Sequence, residues 1–120
     1  CAAKDISMAG VVGTALMLLE CSGVGAVIDL DAIPRPDHVA LARWLTAFPS
    51  FGYVVSVRPD NTPAVTARFA ERGITAARIG RVDASRVTRV RGATGDDAVV
   101  WDFQASPLMG CGQDEAEAAA

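Results

Sequence analysis

Apolar and polar residues alternate along this chain in two periods, one typical of helices and one typical of strands. The run from Met8 to Cys21 has helical spacing, with Ser7 as its predicted N-cap. Glycines at positions 23 and 25 are expected to end this helix, because glycine adopts the left-handed conformation at little cost. The short run from Gly25 to Leu30 is rich in β-branched residues, which predicts a strand.

The remaining pattern predicts two further helices and four further strands. One helix is expected from His38 to Ala47, with Asp37 as its cap, and Phe48-Pro49-Ser50 breaks it. Another is expected after the cap Thr62, with Pro63 at its first position and Gly73 at its end. A strand is expected at Phe51 to Val57, which has the pattern of a strand buried on both faces, and another at Ile74 to Val82. The last two, Arg86 to Arg91 and Asp97 to Phe103, are expected to be joined as a hairpin.

The resulting order is α-β-α-β-α-β-β-β, which predicts a single α/β domain of the α+β kind. The terminal hairpin favours a mixed sheet, with helices covering its faces. Periodicity ends at Gln104. We therefore expect a domain over residues 1–103 and a flexible acidic tail over 104–120.

Composition and charge exclude several classes of protein. With 51% hydrophobic and 21% charged residues, the chain has the balance of a folded domain rather than of a disordered segment. The net charge of -3 predicts no general attraction for nucleic acid, although seven arginines fall between positions 68 and 91. No apolar stretch reaches the roughly 20 residues that span a bilayer. We expect neither a nucleic-acid nor a membrane partner.

The three cysteines, Cys1, Cys21 and Cys111, are odd in number and far apart, and His38 is the only histidine. This spacing matches no zinc site and predicts no disulfide framework, which favours a cytoplasmic protein. Cys21 lies in an apolar helical run and is expected to be buried. The chain starts at Cys1, without an initiator methionine, which suggests a fragment of a longer protein.

The segment before the first helix carries the chemistry that the sequence makes most visible. Unpaired N–H groups at a helix N-terminus attract phosphate or carboxylate. Asp5 could hold a magnesium ion, and Lys4 could neutralise phosphate charge. Gly10 and Gly13 would let a ligand or another backbone come close. The alternative is structural: Asp5 or Ser7 would cap the helix, and the glycines would allow tight packing.

Two other segments have simpler interpretations. Asp29 and Asp31 are two residues apart, so on one strand they would share a face and could bind a metal ion; an exposed polar strand edge explains them more simply. Gly80, within Ile79-Gly80-Arg81-Val82, indicates a bulge or a close backbone approach. No nucleophile and base are arranged as in a hydrolase triad.

Together these segments resemble one superfamily. The stretch Asp5–Gly13 is similar to the start of the C-terminal domain of selenophosphate synthetase and to the Asp-Val-Ser-Asp-Gly-Leu motif of thiamine-monophosphate kinase. Residues 22–34 resemble the next block of both families, and residues 51–57 and 79–82 resemble later strands of aminoimidazole ribonucleotide (AIR) synthase. The chain thus resembles the C-terminal domain of an AIR-synthase-related protein from Asp5 to Val90.

This resemblance implies a three-layer α/β/α domain with a mixed sheet, like the C-terminal domain of AIR synthase (PurM-like) and partly ferredoxin-like. It implies an absent N-terminal domain that forms a homodimer and most of an ATP site, so that ATP and Mg²⁺ bind only when both domains are present. A small-molecule substrate would be phosphorylated, or ligated at the expense of ATP, in the cleft between the domains. By this resemblance Asp5 and Ser7 are the candidate catalytic residues and Asp5 a metal ligand, while Lys4, Gly10, Gly13 and Thr14 would bind substrate or phosphate.

Met8 departs from the kinase motif, which has its second aspartate at that position. The sequence therefore leaves two hypotheses open. The chain is either the C-terminal half of an ATP-dependent synthetase or kinase, or a non-catalytic binding or oligomerisation module with the same fold.

Overall fold

The computed structural model describes residues 1–48 and 51–111; the predicted break at Pro49 and Ser50 and the segment 112–120 lie outside these ranges. No helix of the described part is long and apolar enough to cross a membrane. The strands are β1 (Ala2–Asp5), β2 (Gly25–Asp29), β3 (Tyr53–Ser56), β4 (Gly80–Asp83), β5 (Val87–Arg91) and β6 (Asp97–Asp102), and the helices are α1 (Gly10–Ser22), α2 (Leu41–Leu45) and α3 (Thr62–Glu71).

The six strands form two sheets. The larger has the order β4-β2-β5-β6, in which β2 and β5 are parallel and the other neighbours antiparallel. The smaller consists of β1 and β3, paired antiparallel with Ala2 opposite Ser56 and Asp5 opposite Tyr53. The predicted α/β class, the mixed sheet and the hairpin of β5 and β6 are confirmed.

Helix α1 is the centre of the core and packs against both sheets. Its N-terminal half contributes to a cluster that also contains residues of β2 and of the loops at the same end of the domain, and its C-terminal half contributes to a second cluster. Burial of each large apolar side chain stabilises the fold by roughly 1.5–3 kcal/mol. The first cluster consists of Ile6, Val11, Ala15, Ile28 and Ile33, and the second of Leu16, Leu19, Ala26 and Phe103.

The predicted start of the first helix is wrong. Helix α1 begins at Gly10 rather than Met8, and its N-cap position is Ala9, without a side-chain hydrogen bond. The reason is a turn: the carbonyl of Ser7 accepts the Gly10 amide at 2.9 Å, and Gly10 has φ +74°. Ser7 is therefore not the cap, and the residues before it form strand β1, which the sequence did not predict.

The second helix is shorter than predicted, spanning Leu41–Leu45 with Ala40 at its N-cap. Asp37 does not cap it. The carbonyl of Pro36 accepts the amide of Val39 at 3.1 Å, and the Arg35 side chain donates to the Val39 carbonyl, so residues 36–39 form a separate turn. The third helix lies one residue from its prediction, with Thr62 inside the helix and Asn61 at the N-cap.

Two predicted strands differ in the structure. Strand β3 was expected to be buried on both faces, yet Tyr53 is 67% and Val55 42% exposed, because β3 pairs only with β1 and one face of this sheet stays uncovered. The strand expected at Ile74 to Val82 begins only at Gly80. Of the residues before it, Ile79 offers its carbonyl to the Asp29 amide at 2.7 Å.

The cysteine prediction is also wrong. Cys21 and Cys111 form a disulfide, with Cα atoms 4.9 Å apart and a separation of 90 positions in sequence, and Cys21 is exposed rather than buried. Within the described ranges Cys1 is free and exposed. The disulfide joins the end of α1 to the last described residue, so residues 104–111 return to the domain.

Candidate functional site

The side chains of Lys4 and Asp5 lie at the end of β1. Asp5 is opposite Tyr53, and directly opposite residues of an antiparallel pair present their side chains on the same face. The Asp5 carboxylate is therefore on the uncovered face of the smaller sheet, where its side chain is 54% exposed. Lys4 Nζ is 3.9 Å from Asp5 Oδ1, a distance at which an exposed ion pair contributes little to stability. The carboxylate is accessible to a ligand.

The loop between β1 and α1 is fixed by three hydrogen bonds. The Ile6 amide donates to the Gly52 carbonyl at 2.9 Å, and the Ser7 amide donates to Thr14 Oγ1 at 3.1 Å. The third is the bond from the Gly10 amide to the Ser7 carbonyl. Thr14 is fully buried, so its hydroxyl supports the loop from beneath rather than facing solvent. Ser7 itself is half-buried at the surface of the loop.

The N-terminus of α1 is covered on one side and open on the other. Gly10 and Val11 are buried, and a Cβ at Gly10 would lie 1.9 Å from the carbonyl oxygen of Leu45 in α2. Met8 and Ala9 are exposed. The close approach that the sequence predicted at Gly10 is thus a contact with the protein's own backbone, whereas the side towards Met8 faces solvent.

Gly13, the fourth predicted phosphate-side residue, lies in the first turn of α1 and is half-exposed. A Cβ there would lie 2.4 Å from the Cβ of Ala9. A side chain at Gly13 would therefore crowd the N-cap residue.

These residues form an open surface between the end of β1 and the start of α1. An accessible carboxylate, an ammonium group and a half-buried hydroxyl precede a helix whose first turn has no side-chain cap, and such a terminus carries a partial positive charge. Lys4, Asp5 and Ser7 thus lie together at the surface, while Gly10 and Thr14 shape the backbone beneath them. Within the described ranges no group of three or more His, Cys, Asp or Glu side chains converges on a metal position.

The structure also contains two depressions that the sequence did not reveal. One is formed by residues 31–35 with Asp37, Thr75 and Ala77, and the other by the ends of β2, β4 and β5. Asp31 lines the first and Asp29 the second, because β2 ends at Asp29 and a 3-10 turn follows at Leu30–Ala32. The shared strand face predicted for these two aspartates is therefore wrong.

Glu20 is a buried carboxylate that the sequence analysis did not single out. It is 9% exposed, and its carboxylate accepts hydrogen bonds from the backbone amides of Leu108, Met109 (2.9 Å) and Cys111 (3.2 Å). Burial alone would raise the pKa of Glu20, but the amides of residues 108–111 outweigh it and lower the pKa below its ordinary value of 4.5. A lone acid between apolar residues of a helix was the available signal, since buried carboxylates need partners.

We expect Glu20→Gln to destabilise the protein by about 1–2 kcal/mol at neutral pH, because a neutral amide replaces the anion that three N–H groups share. A carboxyl whose pKa is lowered by folding adds stability above its unfolded pKa and loses it as the pH falls through the folded value. The difference from wild type should therefore shrink below pH 4.5. Urea unfolding at pH 7, 5 and 3 measures it, with Glu71→Gln on exposed α3 as control. A difference independent of pH would contradict this assignment.

A family model and a sequence relative match most of this chain. The family model "AIR synthase related protein, C-terminal domain" matches residues 1–93. The chain is 41% identical over 109 residues to the uncharacterized protein sll0787 of Synechocystis sp., with 91% of the chain and 34% of that protein covered. It thus spans about a third of the length of this relative.

Solved structures share the fold. The chain superposes on Thermotoga maritima PurL complexed with FGAR with a TM-score of 0.73 and 19% identity, covering 87% of the chain and 17% of PurL. PurL has also been solved with ADP and with ATP. The HypE–HypF complex gives a TM-score of 0.73 and 23% identity, covering 84% of the chain and 36% of the matched chain. With the family model matching most of its length, this chain belongs to the family of AIR synthase related proteins and corresponds to their C-terminal domain.

Proposed function

We propose that this chain is the substrate- and phosphate-side domain of an ATP-dependent enzyme that phosphorylates a small molecule or ligates it at the expense of ATP. In this proposal the domain is inactive without an N-terminal domain, which supplies most of the ATP site. The observation that carries the proposal is the accessible Asp5 carboxylate beside the uncapped N-terminus of α1. Phosphoryl transfer depends mainly on positioning and charge neutralisation, which such a surface provides.

The apolar residues around Asp5 support a covering domain. Tyr53 and Val55 lie on the same uncovered sheet face as Asp5, and Met8, in the loop that follows, is 76% exposed. Phe48 and Phe51 are 59% and 44% exposed. A contiguous apolar surface is unfavourable in water unless a partner covers it. A second domain docked here would enclose the Asp5 carboxylate in an interdomain cleft.

At this surface Mg²⁺ would be held jointly by the protein and the substrate phosphates, because the protein alone does not supply a complete set of ligands. Mg²⁺ is held in proteins by one or two carboxylates together with substrate phosphates and water. Asp5 would supply one such carboxylate, and Lys4 would neutralise phosphate charge. Ser7 would orient substrate, with Gly10 and Gly13 shaping the approach to the first turn of α1. The complexes of PurL with ADP and ATP support a nucleotide role for this fold.

The same proposal includes a homodimer in the cytoplasm, where the reducing environment would open the disulfide between Cys21 and Cys111. The HypE–HypF complex supports partnering by this fold. Light scattering of the protein joined to its natural upstream sequence would test it, and a strict monomer at high concentration would contradict the dimer.

The first experiment is calorimetry of the protein with its natural upstream sequence, titrated with ATP in the presence and absence of Mg²⁺. We expect saturable, magnesium-dependent binding that the isolated 120-residue chain lacks. Absence of binding by the folded longer protein would overturn the enzyme proposal.

In that longer protein, Asp5→Asn is expected to weaken magnesium-dependent ATP binding about tenfold, since loss of one charged ligand costs about 1.4 kcal/mol or more. Asn keeps the size of the side chain, so the fold should persist. Asp60→Asn, at an exposed aspartate in the 3-10 turn before α3, is the matched control and should bind as wild type. Equal affinities of the two variants would remove Asp5 from the site.

A second candidate function rests on Met8. This residue stands where the kinase motif has its second aspartate, so the chain has one fewer carboxylate for a metal ion. A binding or oligomerisation module with the same fold would then dock partners through the apolar face without ATP. Partner binding by the longer protein, with no response to ATP and Mg²⁺, would favour this function.

A further inference from the structure

A second depression lies away from Asp5, on the face of the larger sheet that α1 does not cover. In β2, Ala26 and Ile28 are buried in the clusters around α1, so Val27 and Asp29 project to the opposite face. Arg81 of β4 is directly opposite Val27, and Arg91 of β5 is directly opposite Asp29. Together with Gly80 and the preceding Arg78, these residues surround an open space of about 390 Å³.

The floor of this depression is backbone. A Cβ at Gly80 would lie 2.1 Å from the carbonyl oxygen of Val27, so no other residue fits without moving β4 away from β2. Gly80 is directly opposite Ile28, whose side chain points to the covered face, so the missing side chain permits the close approach of β4 to β2. The close backbone approach that the sequence predicted at Gly80 is therefore the contact between β4 and β2.

Positive charge is concentrated in this space although the whole chain is acidic. Three guanidinium groups and one carboxylate line it, whereas the chain has a net charge of -3. Arg91 is engaged by Asp97, with Nε 3.0 Å from Oδ1. Neither Arg78 nor Arg81 forms a salt bridge with any residue of the described ranges. Arg89 of β5 is also directly opposite Val27, across from Arg81 of β4, and adds positive charge to the same face of the sheet.

Nearby carboxylates offset part of this charge: hydrogen bonds from Ser85 and, to a lesser degree, the charges of Arg81 and Arg89 lower the pKa of Asp83. Asp97 is paired with Arg91, and Asp83 accepts the amide of Ser85 at 2.9 Å and the Ser85 hydroxyl. Asp29 is the one acid among the residues that line the depression, and it lies directly opposite Arg91. Like charges held in one concave space repel each other, and an anion bound between them relieves that repulsion.

We infer that this depression, the Arg78–Arg81–Arg91 site, binds the phosphate group of a small phosphorylated ligand. The planar fork of N–H donors in arginine matches phosphate oxygens in a bidentate manner, and the guanidinium groups of Arg78 and Arg81, which form no salt bridge in the described ranges, match the charge of a phosphate dianion. The site is separate from the Asp5 surface and does not depend on the ATP-dependent function. Inorganic phosphate and a phosphate monoester share this chemistry, and the experiment separates them.

The test is titration of the 120-residue protein with inorganic phosphate, methyl phosphate and ATP at constant ionic strength, followed by backbone amide NMR shifts. We expect saturable shifts at residues 27–29, 78–81 and 91 with phosphate or methyl phosphate, and tighter binding of the monoester if the natural ligand is phosphorylated. Sodium chloride at matched ionic strength should give no saturable shift. Shifts that never saturate, or that spread over the whole surface, would overturn the inference.

The variant Arg78→Gln/Arg81→Gln should weaken phosphate binding at least tenfold, because it removes the two guanidinium groups of the lining that form no salt bridge in the described ranges. Its matched control is Arg68→Gln/Arg72→Gln, which removes the same charge from exposed positions in and next to α3. If both variants weakened phosphate binding equally, the effect would come from the net charge of the protein, and a local site would be contradicted. Asp5→Asn should leave phosphate binding here unchanged, so failure of this site and failure of the ATP proposal give different results.

Discussion

Replacing Cys21 and Cys111 together by serine is expected to lower the free energy of unfolding by about 3–5 kcal/mol. The disulfide closes a loop of 90 residues, and a cross-link over so long a loop removes much of the conformational entropy of the unfolded chain. For a domain of this size such a loss is a large part of the total stability. Urea unfolding of the two proteins under non-reducing conditions measures it.

Three controls make this result specific. Reduction of the wild-type protein should reproduce the stability of the double variant, since both lack the same bond. Cys1→Ser, at the exposed free cysteine, should leave stability unchanged. Thiol titration of the denatured, non-reduced protein should count one free thiol, and a count of three with unaltered unfolding would contradict the disulfide.

The disulfide and Glu20 act on the same segment from adjacent positions of α1. Amide hydrogen bonds to the Glu20 carboxylate fix residues 108–111, and the bond from Cys21 then holds Cys111 covalently. Disulfides persist in oxidising compartments, whereas a cytoplasmic protein would keep both thiols reduced. Under reducing conditions only the hydrogen bonds to Glu20 would hold residues 108–111, and the Glu20 carboxylate accepts these bonds in its anionic form at neutral pH.

Local signals in the sequence were sufficient where an element is specified by its own residues. Helix α3 is punctuated by Pro63 and Gly73, and the structure places it within one residue of the prediction. The β5–β6 hairpin follows from two runs that contain β-branched residues, joined by a short segment with glycine at 95, where φ is +81°. Each of these features depends on neighbours in sequence, which a periodic pattern records.

Long-range pairing explains what the sequence did not predict. Strand β1 has no β-branched residue, and it is a strand because β3, about fifty positions away, pairs with it. The partner of Cys21 is 90 residues distant. A one-dimensional pattern contains no information on such contacts, and tertiary context decides short segments of weak propensity.

The composition of the candidate site stays a prediction, and the structure describes how its backbone is supported. The sequence indicated Asp5, Ser7 and the start of α1 as neighbours, and in the structure the Ser7 carbonyl accepts the amide of Gly10, where α1 begins. It did not indicate that the Ser7 amide would bond to Thr14, seven residues on, or that Gly10 would contact α2. Whether a residue of the motif touches ligand or supports the backbone depends on packing, which a motif alone does not specify.

Gly10→Ala is expected to destabilise the protein by about 3 kcal/mol. At φ +74° an alanine is strained by roughly 1–2 kcal/mol, because its Cβ crowds the neighbouring carbonyl in the left-handed region. In addition the new Cβ would lie 1.9 Å from the Leu45 carbonyl oxygen, and relief of that overlap requires α2 to move from α1 at a further cost of about 1–3 kcal/mol. Urea unfolding at neutral pH measures the sum.

Gly73→Ala separates the two contributions. Gly73 has φ +68°, nearly that of Gly10, but a Cβ there meets nothing within 4 Å, so only the backbone strain of about 1–2 kcal/mol should appear. The excess at Gly10 then measures the contact with α2. Equal destabilisation by the two substitutions would show that α2 does not press on the N-terminus of α1. That end of the helix would then be open on both sides, and the proposed phosphate-side surface beside Asp5 would be wider than the structure places it.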